Sequence, residues 1–187
     1  MQFDMSAVTG SFDFLMKGLQ YSLQLTLFAT AIGIFFGTLL AMARLSSIKP
    51  LNLAASTYVN LFRSVPLLLV IFWFYILVPL VMGIDVGAEK SAYITFAIFE
   101  AAYFCEIIRA GIQSIERGQY EGARVLGLTY PQTMRRIVLP QVIKRILPSI
   151  TNEVITLVKD TSLAFTLSVV EMFSVAKALA SSQTSMI

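Results

Sequence analysis

Charged residues are few in this sequence, and several of them interrupt long apolar runs. Glu100, Glu106 and Arg109 lie within one such run or at its end. Ionisable side chains at membrane depth usually face the protein interior or water, where they mark the path of an ion or a polar substrate. Glu106 and Arg109 are three positions apart, so a helix would place them side by side. We predict that they form a structural ion pair near one end of a membrane span.

A second group of polar residues divides the apolar run between residues 146 and 170. The group is Lys159, Asp160, Thr161 and Ser162, and neither half of the run is long enough to cross a bilayer alone. Irregular backbone at membrane depth is tolerated where it lines a cavity, and broken helices of this kind often mark transport sites. We predict that these four residues line a substrate pathway, in which the Lys159 ammonium would meet a substrate carboxylate.

The composition excludes several other kinds of chemistry. The sequence has no histidine and a single cysteine, Cys105, so it offers no Ser-His triad, no internal disulfide and no metal site built on these residues. It also lacks a Gly-x-x-x-x-Gly-Lys-Ser/Thr phosphate-binding loop. We therefore expect no catalytic residue, no metal and no cofactor in this chain, and no enzyme activity of its own.

The elements that position these residues are predicted to be membrane helices. Hydrophobic residues make up 57% of the 187 positions and charged residues 13%, whereas soluble domains carry about 25% charged residues. An all-α membrane protein is expected. Since about 20 residues span the hydrocarbon core, the predominantly apolar runs predict four spans: 18–43, 64–84, 91–108 and the broken 146–170.

Gly33 and Gly37 lie on one face of the first predicted span. This small-xxx-small pattern lets a second helix approach closely. The sequence leaves open whether that second helix belongs to the same subunit or to another one.

The longest polar segment, residues 111–144, is also strongly basic. When the ends of the predicted spans are assigned to the two sides of the membrane, ten arginine and lysine residues lie on the side of this loop and three on the other side. Lys159 lies within the membrane. Because basic loops stay in the cytoplasm, the loop is predicted to be cytoplasmic and the amino terminus to lie outside. The first residues lack the basic and apolar pattern of a signal peptide.

Residues 116–127 of this loop have helical spacing. Gly118 and Gly122 keep one face of the predicted helix thin, and Gly127 suits the position after a helix end. A second helical stretch follows, and Pro140 is expected to mark the return to the membrane. A short helix parallel to the bilayer would fit a groove on a cytoplasmic protein, although a solvated amphipathic linker would explain the same residues.

This loop resembles the cytoplasmic signature loop of ABC importer permeases. The matching residues run from Glu121-Gly-Ala123 through Gly127 to Ile137-Val-Leu-Pro140, with the family's spacing. The family pattern begins Glu-Ala-Ala, so Gly122 departs from it. Glu100-Ala-Ala102 spells the triplet, but it lies inside the third predicted span without the following glycine and Leu-Pro, and we reject it.

The resemblance implies roles for the matching residues. A cytoplasmic ATPase would dock on Glu121, Gly122, Ala123 and Gly127. The angle at which the chain returns to the membrane would be set by Ile137, Leu139 and Pro140, for which plain helix packing is the alternative.

The similarity extends over nearly the whole chain. Leu61-Phe-Arg-Ser-Val-Pro66, Glu106-Ile-Ile-Arg109-Ala-Gly111 and Lys159-Asp-Thr-Ser-Leu163 resemble the polar amino-acid uptake branch of these permeases. The Lys-Asp-Thr-Ser stretch looks common in the branch whatever the substrate, which counts against a direct contact between Lys159 and the substrate. Trp73-Phe-Tyr75 and Gly111-Ile-Gln-Ser-Ile115 are most similar to glutamate and aspartate permeases. The resemblance implies a type I importer (MetI-like) fold, with residues 1–187 as one transmembrane permease domain in the bacterial inner membrane. Members of the branch usually add a fifth span and a basic cytoplasmic tail, which would be expected to begin where this sequence ends.

The family also implies partners. These are a second permease subunit in a homodimer or heterodimer, two ATPase subunits that bind ATP and Mg²⁺, an external amino-acid-binding protein, and membrane lipid. No nucleic acid is expected.

Three classes of function could account for parts of this pattern. An energy-coupled permease working by alternating access explains the loop, the helix break and the embedded charges, with glutamate or aspartate favoured over glutamine or a basic amino acid. A passive channel or secondary carrier leaves the loop unexplained. A membrane scaffold leaves the helix break without a role.

Overall fold

The computed structural model describes residues 12–83 and 87–167 together with Lys177 and Ser181. The secondary structure of these residues is helical, which confirms the all-α prediction. The helices are α1 (Phe12–Leu45), α2 (Lys49–Ser64), α3 (Leu67–Met82), α4 (Ala88–Gln113), α5 (Arg117–Val125), α6 (Tyr130–Thr133) and α7 (Leu139–Asp160), and a 3-10 helix follows over Thr161–Leu167.

Helices α1 and α4 are long and apolar enough to cross a membrane, and they contain the predicted spans 18–43 and 91–108. Helices α2 and α3 qualify together, with a bend of 107° between them. The bend follows from Pro66, which has no N–H to continue a helix and forms the N-cap of α3. By length and composition, the described residues thus hold two spans, or three if the bent pair is one, roughly in line with the four predicted.

A proline follows each of two π-helical turns. Trp73–Leu77 ends two residues before Pro79, and Met134–Val138 ends two residues before Pro140. A proline inside a helix lacks an N–H and its ring collides with the carbonyl four residues earlier. In both cases that carbonyl belongs to the π turn, whose wider geometry moves it away from the ring.

The return to the membrane expected at Pro140 is therefore not a break in the chain. Helical residues run without interruption from α6 through the π turn into α7. The structural boundary of the 111–144 loop lies instead at Thr129, where a capping box starts α6: the Gln132 side chain accepts a hydrogen bond from the Thr129 N–H at 2.9 Å.

The chain forms two compact units. The first contains the described residues of Met1–Thr30, Pro66–Ala97 and Ile155–Ile187, and the second contains Ala31–Val65 and Ile98–Val154. In the first unit, Tyr93 of α4 packs edge-on against two rings of α1, with centroids 6.0 Å from Tyr21 and 5.0 Å from Phe28. These aromatic contacts join α1 to α4 within that unit.

The second unit brings α1, α2 and α4 together around small residues. Its first core cluster is Ala41, Val59, Ala102, Cys105 and Ile108. A Cβ added at Gly37 would lie 2.9 Å from the Cys105 backbone nitrogen, and one at Gly33 would lie 2.9 Å from the Glu100 Cβ. The glycine face left open by the sequence therefore packs inside the subunit, against α4.

Candidate functional site

Helix α5 ends as the sequence predicts. Gly127 has a φ of +73°, which L side chains rarely adopt. Its N–H donates to the Arg124 carbonyl at 2.9 Å, and the Leu128 N–H donates to the Ala123 carbonyl at 3.0 Å. This is the paired hydrogen bonding of a Schellman motif, which satisfies the last carbonyls of the helix. The glycine fixes where α5 stops and where the chain turns towards α6.

One side of α5 is open to its surroundings. Gly118, Glu121, Gly122 and Val125 are exposed and follow the i, i+3, i+4, i+7 spacing of a single helix face, which we call the exposed stripe. A Cβ added at either of these glycines would meet no atom within 4 Å. Val125 is 87% exposed, and the adjoining Leu126 is 77% exposed. A thin helix face of this kind, with exposed apolar residues at its end, is suited to enter a groove on another protein.

The opposite side of α5 faces the protein. Ala123 is only 1% exposed, so its side chain holds the helix in place and does not reach an outside partner. Tyr120 is half-buried against the second core cluster, which consists of Ile115, Val138 and Val142. Burial, with a smaller contribution from Tyr130, raises the pKa of the Tyr120 phenol above its ordinary value. The Tyr120 hydroxyl is therefore neutral at physiological pH.

Two polar contacts strengthen this attachment to α7. The Gln141 side-chain amide donates to the Gln119 side chain at 2.9 Å. Arg145 donates to the carbonyl oxygen of Ser114, the residue after α4, and to its hydroxyl at 3.2 Å. The first contact and the apolar cluster thus join α5 to the start of α7, and the second joins the end of α4 to α7.

The remaining residues of the signature loop lie around this attachment. Ile137 is half-buried in the π turn, while Leu139 and Pro140 are exposed at the start of α7. The proposed role of Leu139 and Pro140 in setting the helix angle stays a prediction, because both residues are exposed.

A second polar centre lies around Glu106 on α4. The predicted contact with Arg109 is present, and Arg44 of α1 also donates to the same carboxylate. Arg63 of α2 lies further away, with 3.9 Å between its nitrogen and the Glu106 oxygen, and its guanidinium carbon is 5.5 Å from the Tyr103 ring centroid. One carboxylate thus joins α1 and α4, and it attracts α2.

The sequence patterns predicted neither Arg44 nor Arg63 at this centre. Both arginines directly follow or precede an apolar run, and that position was the available signal. Pairing between residues 62 positions apart depends on the close approach of α1 and α4, which local patterns do not encode.

The four residues of the predicted substrate pathway lie at a change of helix type. Lys159 and Asp160 are the last residues of α7, and Thr161 and Ser162 begin the 3-10 helix. The sequence suggested an irregular backbone at Lys159. In the structure the α-helix continues through Asp160, so the backbone at Lys159 is regular. The Thr161 side chain is buried and its hydroxyl donates to the Val158 carbonyl at 2.7 Å, whereas Lys159 is exposed.

Comparison with known proteins places the chain among transport proteins. The family model described as "Binding-protein-dependent transport system inner membrane component" matches residues 33–183. The glutamate/aspartate import permease protein GltK of Escherichia coli O6:H1 is 43% identical over 185 residues, which cover 95% of this chain and 83% of that protein. The probable amino-acid ABC transporter permease protein YckA of Bacillus subtilis is 39% identical over 89% of this chain and 74% of that protein.

A solved structure has the same architecture. The crystal structure of an amino acid ABC transporter with histidines superposes with a TM-score of 0.88 at 35% identity, covering 97% of this chain and 84% of that chain. A second, of the inward-facing MetNI methionine ABC transporter, has a TM-score of 0.63 at 25% identity, over 82% of this chain and 74% of that one. These likenesses confirm the predicted MetI-like permease fold. The chain belongs to the family of binding-protein-dependent transport system inner membrane components, as an ABC importer permease.

Proposed function

We propose that this protein is the permease subunit of an importer that carries glutamate or aspartate into the cell by alternating access. ATPase subunits in the cytoplasm would drive it by docking on α5. The observation that carries the proposal is the exposed stripe, which lies on a short helix held firmly on the start of α7. A linker without a partner would need neither the exposed apolar residues nor the firm attachment.

The attachment of α5 supports a route for the coupled movement. An ATPase that grips Glu121, Gly122, Val125 and Leu126 would move α5 when its nucleotide site closes. Because α5 packs on Val138 and Val142 through the second core cluster, α7 would rotate with it. Rocking of α7 would then open the substrate path alternately to the two sides of the membrane.

The proposed substrate follows from the relatives. Two permeases named for glutamate and aspartate are 43% identical to this chain, whereas relatives named for arginine or glutamine are 35–36% identical. The second candidate is therefore a permease for another polar amino acid. Uptake of labelled glutamate, aspartate, glutamine and arginine by the assembled transporter in proteoliposomes distinguishes them, and glutamine- or arginine-selective uptake would exclude the proposed substrate.

The proposed assembly follows the family. A second permease subunit, two ATPases that bind ATP and Mg²⁺, and an external amino-acid-binding protein would complete the importer. The excess of basic residues near α5 supports a cytoplasmic position for the 111–144 loop and an external amino terminus. Modification of cysteines introduced at Gly118 and at Gly83 by a membrane-impermeant thiol reagent on intact cells tests this orientation, and labelling of the Gly118 position would contradict it.

The docking role of α5 predicts a strong effect of Gly127→Asp. The substitution introduces a negative charge next to the exposed stripe and strains a backbone at φ +73°, which typically costs about 1–2 kcal/mol. We expect the rates of transport and of substrate-stimulated ATP hydrolysis by the assembled transporter to fall at least about tenfold, because a tenfold loss of affinity corresponds to about 1.4 kcal/mol. Co-purification of the ATPase with the permease should weaken in parallel.

Gly83→Asp is the matched control. Gly83 also has a left-handed φ, +68°, and open space around it, but it ends α3 and lies outside the docking segment. It should keep ATPase binding and most of the transport activity. Normal transport and normal ATP hydrolysis in Gly127→Asp would refute the coupling role of α5.

The predicted substrate pathway gives a separate test. If the Lys159 ammonium meets a substrate carboxylate, Lys159→Gln should raise the glutamate concentration needed for half-maximal uptake by about tenfold, the usual effect of losing one charge-assisted hydrogen bond. Lys177→Gln, a change of the same type at another exposed lysine, serves as the reference. Uptake of aspartate by Lys159→Gln at unchanged affinity would remove Lys159 from the pathway.

A further inference from the structure

Two arginines of the π turn before α7 line one cavity. Arg135 and Arg136 border it together with Pro131 and Gln132, and its volume is about 450 Å³, within the range typical of small-molecule sites. All four side chains of this lining are exposed. The cavity therefore opens to the surroundings of the permease and presents two positive charges just before the start of α7.

No acidic side chain of the described residues pairs with these two charges. Arg135 and Arg136 form neither an ion pair nor a side-chain hydrogen bond there, in contrast to the arginines around Glu106. Gln132 adds a donor, because its side-chain oxygen accepts from the Thr129 N–H and its amide nitrogen remains available. Adjacent guanidinium groups without an acceptor are suited to a phosphate, which they bind through parallel hydrogen bonds.

An exposed apolar face of α7 begins directly after these arginines. Leu139, Ile143 and Leu147 are 42%, 58% and 57% exposed and follow the i, i+4, i+8 spacing of one helix face. Because the hydrogen bonds of a π turn join residues i and i+5, neighbours on one side of the turn are roughly four to five positions apart. Arg135 thus lies on the side of Leu139, and positive charge and apolar surface follow one another along the chain.

This arrangement matches the two parts of a phospholipid. A free phosphate ion would use the arginines but would not account for the exposed Ile143 and Leu147, and a soluble partner would not account for an apolar face on a helix that is expected to return to the membrane. Amphipathic helices with basic residues lie in the membrane interface, and basic pockets on the cytoplasmic side bind anionic headgroups. Two uncompensated positive charges favour an anionic lipid over a zwitterionic one, whose headgroup brings a positive charge of its own.

We infer that Arg135 and Arg136 bind the phosphate of an anionic phospholipid in the cytoplasmic leaflet, whose acyl chains lie along Leu139, Ile143 and Leu147. The inference rests on the proposed cytoplasmic position of the 111–144 loop and adds a lipid partner to it. The bound lipid holds the π turn at the membrane surface, between the docking helix α5 and the membrane part of α7.

The test is lipid binding to the assembled transporter in detergent, measured by native mass spectrometry. Phosphatidylglycerol is the anionic probe, and phosphatidylcholine with the same acyl chains is the zwitterionic one. The double variant Arg135→Gln with Arg136→Gln should weaken phosphatidylglycerol binding about 10- to 30-fold, because each basic residue near an anionic lipid contributes about fivefold in affinity. Phosphatidylcholine binding should change less than about twofold. Unchanged phosphatidylglycerol binding in the double variant overturns the inference.

The matched control removes two charges elsewhere. Lys49→Gln with Lys144→Gln neutralises two exposed lysines that do not line the cavity, and it should bind phosphatidylglycerol within about twofold of the unchanged protein. Equal losses in the two double variants would show a general attraction by the basic surface and would overturn the site. Inorganic phosphate is the third probe: full displacement of phosphatidylglycerol by millimolar phosphate would assign the cavity to a free anion instead.

Co-purification of the ATPase establishes assembly of each variant. Arg135 and Arg136 are exposed, so the double variant should assemble; if it does not, Arg135→Gln alone decides the test, with a loss of about fivefold expected. Loss of the ATPase at unchanged phosphatidylglycerol binding would assign the two arginines to an acidic surface of the ATPase and contradict the lipid site.

The outcomes also separate the inference from the proposed function. Lipid binding in detergent involves no substrate and no external binding protein, so its failure leaves the proposed glutamate import and the proposed orientation intact. Conversely, glutamine-selective uptake contradicts the proposed substrate and leaves the lipid site standing. Labelling of the Gly118 position from outside the cell contradicts the proposed orientation, and with it the cytoplasmic leaflet named for the lipid.

Discussion

Gly37→Leu is expected to destabilise the permease strongly. The first side-chain atom alone would lie 2.9 Å from the Cys105 backbone nitrogen and 3.0 Å from the Ala101 carbonyl oxygen. These are backbone atoms of α4, so no side-chain rotation relieves the contact. Overpacking of a core typically costs about 1–3 kcal/mol, and a clash with backbone on an adjacent helix belongs at the upper end of that range.

The measurement is thermal unfolding of the assembled transporter in detergent, together with the yield of intact complex. Gly37→Leu should lower the midpoint by several degrees or leave no assembled complex. Gly118→Ala is the matched stability control, because a Cβ there meets nothing within 4 Å and alanine favours a helix over glycine by about 1 kcal/mol. Equal stability of Gly37→Leu and the unchanged protein would mean that α1 and α4 do not pack at this glycine.

The helices that cross the membrane could be predicted because their signal is local. Long apolar runs located α1 and α4, and each predicted end lies within about six residues of the helix end in the structure. Gly127 could be placed after α5 for the same reason, since a left-handed position at a helix end favours glycine wherever the rest of the chain lies. The family motif then located the residues around α5.

The boundary at Pro140 and the Glu106 centre depend on information that is not local. A proline usually marks the end of a helix, but the π turn before Pro140 lets the helix continue, and nothing in the composition of Met134–Val138 distinguishes it from an α-helical turn. Which arginines reach Glu106 is decided by the packing of three helices, and Arg44 is brought close by the glycine face of α1. The glycine face could be recognised from the sequence, but the helix that packs against it could not.

Glu106→Ala should destabilise the permease nearly as much as the change at Gly37. The substitution removes the acceptor shared by Arg44 and Arg109 and leaves like charges facing one another between α1 and α4. Removing one partner of a fully buried ion pair costs about 3–5 kcal/mol. Because the Glu106 side chain is 22% exposed, water offsets part of this loss, and we expect about 2–3 kcal/mol in the free energy of unfolding.

A double-mutant cycle separates this effect from a general loss of packing. Arg44→Ala removes the arginine with the least exposed side chain, 13%, so the double variant Arg44→Ala with Glu106→Ala no longer contains that uncompensated charge. It should be more stable than Glu106→Ala alone, because removing both partners of a buried contact costs less than leaving one unpaired. Glu116→Ala is the control, since Glu116 is exposed and its side chain caps no helix. If the losses in free energy of unfolding from Arg44→Ala and Glu106→Ala are additive in the double variant, Glu106 does not hold α1 against α4. The close approach of these helices then depends on Gly33 and Gly37 alone.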